Sequence, residues 1–132
     1  MALSLIVIDE SQLDCFIAQK IIQFAYADST VKLHNNALTA FEAIRDGNTG
    51  LALPAVIFLD LQMPIMNGFE FLEAYERLPD EITDQYRIFI LSSTLNKNDI
   101  SRGRTYRTVL GVVEKPLTKE KLEDVFHKYS IG

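Results

Sequence analysis

Apolar runs typical of strands alternate along this chain with segments whose apolar positions recur at helical spacing. Residues 3–8 form a nearly unbroken apolar run that stops abruptly at Asp9 and Glu10. Leu13, Phe16, Ile17, Ile21 and Phe24 then fall on one helical face, which predicts an amphipathic first helix. Residues 30–33 suit a short second strand. Ala37, Phe41 and Ile44 give a second helical stripe, closed by Gly47.

Residues 55–59 are the clearest strand, and they too end on a carboxylate, Asp60. All five are apolar, so both faces of that strand should be covered. A loop with Pro64 and Gly68 leads to a third helix carrying Phe71, Leu72, Tyr75 and Leu78, with Pro79 marking its end. A fourth strand over residues 88–91 is closed by Ser92, Ser93 and Thr94. A polar fourth helix is expected over residues 98–106, and a fifth strand over residues 109–113 runs into Glu114, Lys115 and Pro116. Thr118 is placed to N-cap a fifth helix with the stripe Leu122, Val125, Phe126 and Tyr129.

Five β/α units in succession specify an α/β fold: a parallel five-stranded sheet with helices on both faces and right-handed crossovers. Ligands of such sheets bind beyond the carboxyl ends of the strands. The residues leaving those ends are Asp9 and Glu10, Asp60, Ser92 and Lys115.

Composition narrows the setting. At 132 residues the chain is about one domain long, with no repeat, linker or low-complexity segment. A net charge of −5 argues against a protein whose main work is neutralising nucleic-acid phosphates. The lone cysteine, Cys15, can make no internal disulfide, which fits a reducing compartment. No apolar stretch near the start is long enough to span a membrane, so a cytoplasmic, one-domain protein is expected over residues 1–132.

Three carboxylates at neighbouring strand ends repel one another unless a cation sits among them. Oxygen-only ligands suit Mg²⁺. A carboxylate so placed can attack phosphorus and form an acyl phosphate. Lys115 would supply a positive partner for a phosphoryl oxygen, and Ser92 a hydroxyl donor for another.

Asp60, Met63, Pro64, Met66 and Gly68 reproduce a D-x-x-M-P-x-M-x-G segment. With Asp9-Glu10, Ser92 and Lys115-Pro116 at the other strand ends, the whole chain resembles the receiver domain of two-component response regulators. The resemblance implies a flavodoxin-like sheet of strand order 2-1-3-4-5. It implies that Asp60 accepts a phosphoryl group from a histidine kinase or histidine phosphotransfer protein. Asp9, Glu10, Asp60 and the main-chain carbonyl of Gln62 would hold Mg²⁺. Ser92 and Lys115 would bind the phosphoryl group, and the Lys115–Pro116 bond would be cis. A single-domain receiver, with no output domain, would act as a phosphoprotein switch and not as a turnover enzyme. It would signal to a downstream protein through its fourth helix, fifth strand and fifth helix, with no nucleic-acid or membrane partner.

Two departures from the family pattern stand out. The acidic pair is Asp-Glu where Asp-Asp is usual; the extra methylene alters reach but not ligand type. The position three before Lys115 is Val112, where many members carry an aromatic ring that swings inward on activation. Val112 cannot be that switch, so the signal is expected to pass by a shift of the loop after the fourth strand. Tyr106 and Tyr129 are the other aromatics near that region, but spacing does not assign them the role. Gln62 and Thr94, two residues beyond Asp60 and Ser92, occupy the positions that set phosphoryl lifetime in the family, and their chemistry points to moderate to slow self-dephosphorylation.

Other classes fit less well. A haloacid-dehalogenase-like phosphohydrolase would place a second acid where Gln62 stands. A flavin carrier would need a phosphate-cradling loop where Asp9 and Glu10 repel phosphate. A receiver that serves only as a phosphorylation-independent docking module would not need the full set of side chains found here.

Overall fold

The computed structural model describes residues 2–93 and 97–131. The strands are β1 (Ser4–Ile8), β2 (Thr30–His34), β3 (Ala55–Leu59), β4 (Tyr86–Ser92) and β5 (Val109–Glu114). They form one parallel sheet in the order β2-β1-β3-β4-β5. The helices are α1 (Gln12–Ala25), α2 (Ala37–Arg45), α3 (Gly68–Tyr75), α4 (Asp80–Thr83), α5 (Lys97–Gly103) and α6 (Lys119–Lys128). The fourth and fifth helices expected from sequence are thus α5 and α6. The single-turn α4 is additional: Pro79, expected to stop a helix, occupies the N-cap position of a new turn.

Alternation along the strands divides the core in two. Leu5 and Val7 of β1 join Phe58, Phe89 and Val113 beneath α1 and α6, which contribute Cys15, Ala18, Ile22, Leu122 and Phe126. Ile6 and Ile8 face the opposite way, with Ile57, Leu59 and Ile88, under α2 and α3. Residues of β3 are buried throughout, as its all-apolar run predicts. Phe58 is completely buried, worth about 2–3 kcal/mol relative to an exposed ring. A smaller cluster of Leu61, Phe69 and Ile90 packs with Tyr106, Val109 and Val112.

Helix α1 departs from the sequence reading. Its core-facing stripe is Cys15, Ala18 and Ile22. Leu13, Phe16, Ile17 and Phe24, the large residues that define the amphipathic face, are exposed, Phe24 by 75% and Leu13 by 66%. The two stripes start two residues apart, about 200° around the helix. Both have helical spacing, and the sheet accepts the stripe with small residues because Cys15 and Ala18 let the helix lie close. Ile21 lies at the border, packed against the core without being fully buried.

The expected cap at Thr118 forms, and α3 has one the sequence reading did not name. Thr118 accepts from the Lys121 N–H at the start of α6, and Asn67 forms a reciprocal capping box with Glu70 on α3. The Lys115–Pro116 bond is cis, as is Leu53–Pro54. Among the described residues no helix is long and apolar enough to cross a membrane.

Candidate functional site

The parallel register brings the C-terminal ends of β1, β3, β4 and β5 together. Around them lies a bowl of about 190 Å³ lined by Asp9, Glu10, Ser11, Asp14, Asp60, Gln62, Ser92, Ser93 and Lys115. Every site residue expected from sequence lines this one depression, except that Thr94 lies outside the described residues.

Lys115 organises its charges. Its ammonium stands 2.7 Å from Asp9 Oδ2, 3.0 Å from Asp14 Oδ2 and 3.5 Å from Asp60 Oδ2. Asp9 is only 1% exposed, and its Oδ2 has the Lys115 charge beside it but, among the described residues, no aligned hydrogen-bond donor. Its Oδ1 accepts the Ser11 N–H at 3.0 Å, while Ser11 Oγ accepts the Asp14 N–H and caps α1. Burial alone would lower the Lys115 pKa. Contact with Asp9, the charge of Asp60 and the hydrogen bond to Asp14 outweigh that cost and hold the ammonium above the ordinary lysine range.

Asp60 shows the opposite imbalance. Burial first, and the charge of Asp9 second, push its carboxyl up from 3.8 to about 6 against the pull of Lys115 and the Gln62 N–H. That N–H reaches Asp60 Oδ1 at 3.3 Å. The acceptor candidate therefore sits in a pocket short of positive charge. Cys15, with its thiol donating to the Asp9 carbonyl at 3.3 Å, is pushed to about 11 by burial and the Asp9 charge, which makes it an inert packing residue.

Among the described residues no three acids, histidines or cysteines converge as a ready-made ligand cage. The donor chemistry still fits a small hard cation. It is all oxygen, it contains a buried Asp9 oxygen lacking an aligned donor, and four carboxylates line a bowl that holds one ammonium. Glu10 is exposed on the rim, and Ser92 is buried with its hydroxyl donating, among the described residues, only a long 3.5 Å contact to the Ser93 carbonyl, so it can turn to another acceptor.

The loop after β3 owes its shape to close packing. A Cβ on Gly68 would lie 2.7 Å from both the Asp60 carbonyl oxygen and Leu61 Cα. Its φ is unremarkable, so glycine is needed for approach and not for relief of backbone strain. Met63 is buried in the core beneath α2 and α3. Ile65, by contrast, has φ +69° and is 87% exposed. A β-branched residue in the left-handed region costs ~1–3 kcal/mol, so the loop holds an apolar side chain out in solvent against its own preference.

Two contacts escaped the sequence reading. Asp14 joins Lys115, and its only sequence signal is its place in the first turn of α1, three residues past the capping Ser11. The Gln62 side chain donates to Asp99 Oδ2 on α5 at 3.3 Å, tying the loop after Asp60 to that helix. Val112 packs at the edge of the Leu61–Phe69–Ile90 cluster. Tyr106 stacks on Phe69 with centroids 6.2 Å apart, and Arg102 lies 4.1 Å from the Phe69 centroid. Tyr129 donates its hydroxyl to the Leu110 carbonyl at 2.7 Å, tying α6 to β5.

Comparison with known proteins agrees with this geometry. The family described as "Response regulator receiver domain" matches residues 5–127. A response regulator receiver protein from Dyadobacter fermentans is 29% identical, with a TM-score of 0.84 over 98% of this chain and 99% of that one. A two-component response regulator from Cytophaga hutchinsonii has the same fold at 22% identity and TM-score 0.81, covering 95% and 94% of the two chains. A CheY-like receiver domain from Methylobacillus flagellatus does so at 16% identity and TM-score 0.76, covering 97% and 98%. No curated protein matches the sequence.

Proposed function

This chain belongs to the response regulator receiver family, and we propose that it is a phosphoacceptor of a two-component relay whose acceptor is Asp60. The observation that carries the reading is the bowl itself. A buried, charge-starved aspartate at the end of the central strand shares one lysine with a second buried aspartate.

In the proposed transfer, an Asp60 carboxylate oxygen attacks the phosphorus of a phosphohistidine. The P–N bond breaks, its electron pair returns to the imidazole nitrogen, and that nitrogen takes up a proton. Lys115 pairs with a phosphoryl oxygen, and Ser92 turns its hydroxyl from the Ser93 carbonyl to donate to another. Asp9, Asp60, the Gln62 main-chain carbonyl and, from the rim, Glu10 would hold Mg²⁺. The ion when bound supplies the charge neutralisation that phosphoryl transfer demands. Gln62 and Thr94 set the lifetime of the acyl phosphate, which water cleaves slowly to inorganic phosphate and free Asp60.

The donor must bring its imidazole to Asp60, so it also covers the rim. Leu13, Ile17 and Phe24, with Phe16 alongside, line the exposed side of α1 leading away from the bowl, and Ile65 is exposed in the loop that follows Asp60. Leu13, Ile17, Lys20 and Phe24 alternate in steps of four, three and four residues, a seam suited to a helix of the donor. The output surface is assigned to α5, β5 and α6, where Leu110 is exposed. Gln62 with Asp99, and the Phe69–Tyr106 stack, link that surface to the acceptor loop in place of an aromatic at Val112.

The test is incubation with Mg²⁺ and acetyl phosphate, followed by peptide mass spectrometry. A phosphoryl group on Asp60, absent from Asp60→Asn and lost with chelator, is expected. Modification elsewhere, or none, overturns the reading.

A further inference from the structure

Lys115 is closer to Asp9 and Asp14 than to the acceptor it is to serve. Three carboxylates lie within 4 Å of its ammonium, and the aligned hydrogen bond goes to Asp14. Two of those acids belong to the chemistry proposed above. Asp14 does not: it comes from the first turn of α1 and forms a wall shared by the acceptor bowl and an apolar trough of about 170 Å³ beside Ile17 and Leu117.

The Asp14 backbone is well fixed. Asp9 holds the Ser11 N–H, and Ser11 in turn holds the Asp14 N–H. The carboxylate is thus presented to Lys115 by the same capping turn that carries Asp9, and its side chain stays 39% exposed.

We propose that Asp14 is a positioning residue that parks Lys115 and competes with the phosphoryl group for it. The proposal rests on the phosphoacceptor reading. A phosphoryl group on Asp60 brings about −1.5 to −2 charges and three strong acceptor oxygens. Lys115 is drawn to them, and the negative charge of Asp14 opposes this both by holding the ammonium and by repelling the incoming anion. Asp14 therefore sets how readily the site charges. Releasing it on phosphorylation also frees a carboxylate at the mouth of the trough, on the side where the donor docks, and so favours departure of the spent donor.

Asparagine at this position keeps an oxygen to accept from Lys115 and removes only the charge. The test titrates beryllofluoride, a tetrahedral phosphoryl mimic, in Mg²⁺, followed by ¹H–¹⁵N NMR. Asp14→Asn is expected to bind about two- to fivefold tighter than wild type, the scale of a partly exposed ion pair. Asp14→Glu is expected to return toward wild type, and Asp28→Asn, the same charge change in the turn beyond the other end of α1, to leave affinity unchanged. Equal or weaker binding by Asp14→Asn, or an equal gain in Asp28→Asn, overturns the proposal. The ion pair has its own readout without any mimic: the Lys115 side-chain ¹⁵N resonance shifts in Asp14→Asn, and an unmoved resonance overturns the pairing. Wild type that binds no beryllofluoride while that resonance does shift defeats the phosphoacceptor reading and leaves the pairing intact.

Discussion

Neutralising Asp60 should stabilise the protein without metal, and only where Asp60 is ionised. Burial and the Asp9 charge raise its carboxyl from 3.8 to about 6. An acid whose folded-state pKa is raised makes the fold bind more protons than the unfolded chain between those two values, so stability falls as pH rises through that window. At about 1.4 kcal/mol per pKa unit, the cost above pH 6 has a ceiling of ~3 kcal/mol. Asn at this position gives up the 3.5 Å pairing with Lys115, which keeps its closer partners Asp9 and Asp14. The expected net gain of Asp60→Asn is ~1–2 kcal/mol at pH 7.5, shrinking to under ~0.5 kcal/mol near pH 4. Urea unfolding in EDTA at the two pH values measures it, and Mg²⁺ should narrow the gap by stabilising wild type alone. A destabilised Asp60→Asn, or a gain independent of pH, would refute the picture of a charge-starved pocket.

Lys115→Met removes the one cation that, among the described residues, faces buried Asp9 and should cost ~3 kcal/mol or more in urea unfolding at pH 7.5, with phosphorylation by acetyl phosphate lost. Gly68→Ala forces a Cβ against the Asp60 carbonyl and Leu61 and should cost ~2–3 kcal/mol; an unchanged melting midpoint would contradict the close approach. Phe16→Ser should leave stability within ~0.5 kcal/mol because the ring is half exposed, yet slow phosphotransfer from a protein donor while sparing acetyl phosphate. Equal rates with both donors would remove α1 from the docking surface. Glu76→Gln, which weakens the bonds that Thr108 donates through its N–H and Oγ1 to Glu76 Oε2, should lower stability by ~1 kcal/mol in the same denaturation assay.

The fold was legible because the strands declare themselves. The run Ala55–Leu59 could only be a strand covered on both sides, and each acidic or cationic residue that ends a strand marks one rim of the sheet. What sequence hid were choices between equivalent patterns and contacts far apart in the chain. On α1 two stripes compete, and only packing against the sheet shows that Cys15, Ala18 and Ile22 face inward. Asp14 and Lys115 are 101 residues apart, and no periodicity announces their pairing. Gly68 reads as a helix-entry glycine, whereas its neighbours leave no room for a side chain. Pro79 reads as a stop and opens another turn.

The outward stripe on α1 has an evolutionary corollary. Leu13 begins beside the bowl and Phe24 lies eleven residues further on, about 16 Å along the axis. On the docking proposed above, substitutions at the distal end redraw allegiance to one donor or another while the chemistry proposed at Asp60 goes on undisturbed. Because those side chains contribute little to the core, such rewiring carries almost no folding penalty. A lineage could thus multiply copies of this chain and insulate them from one another by drift on a single exposed helix face.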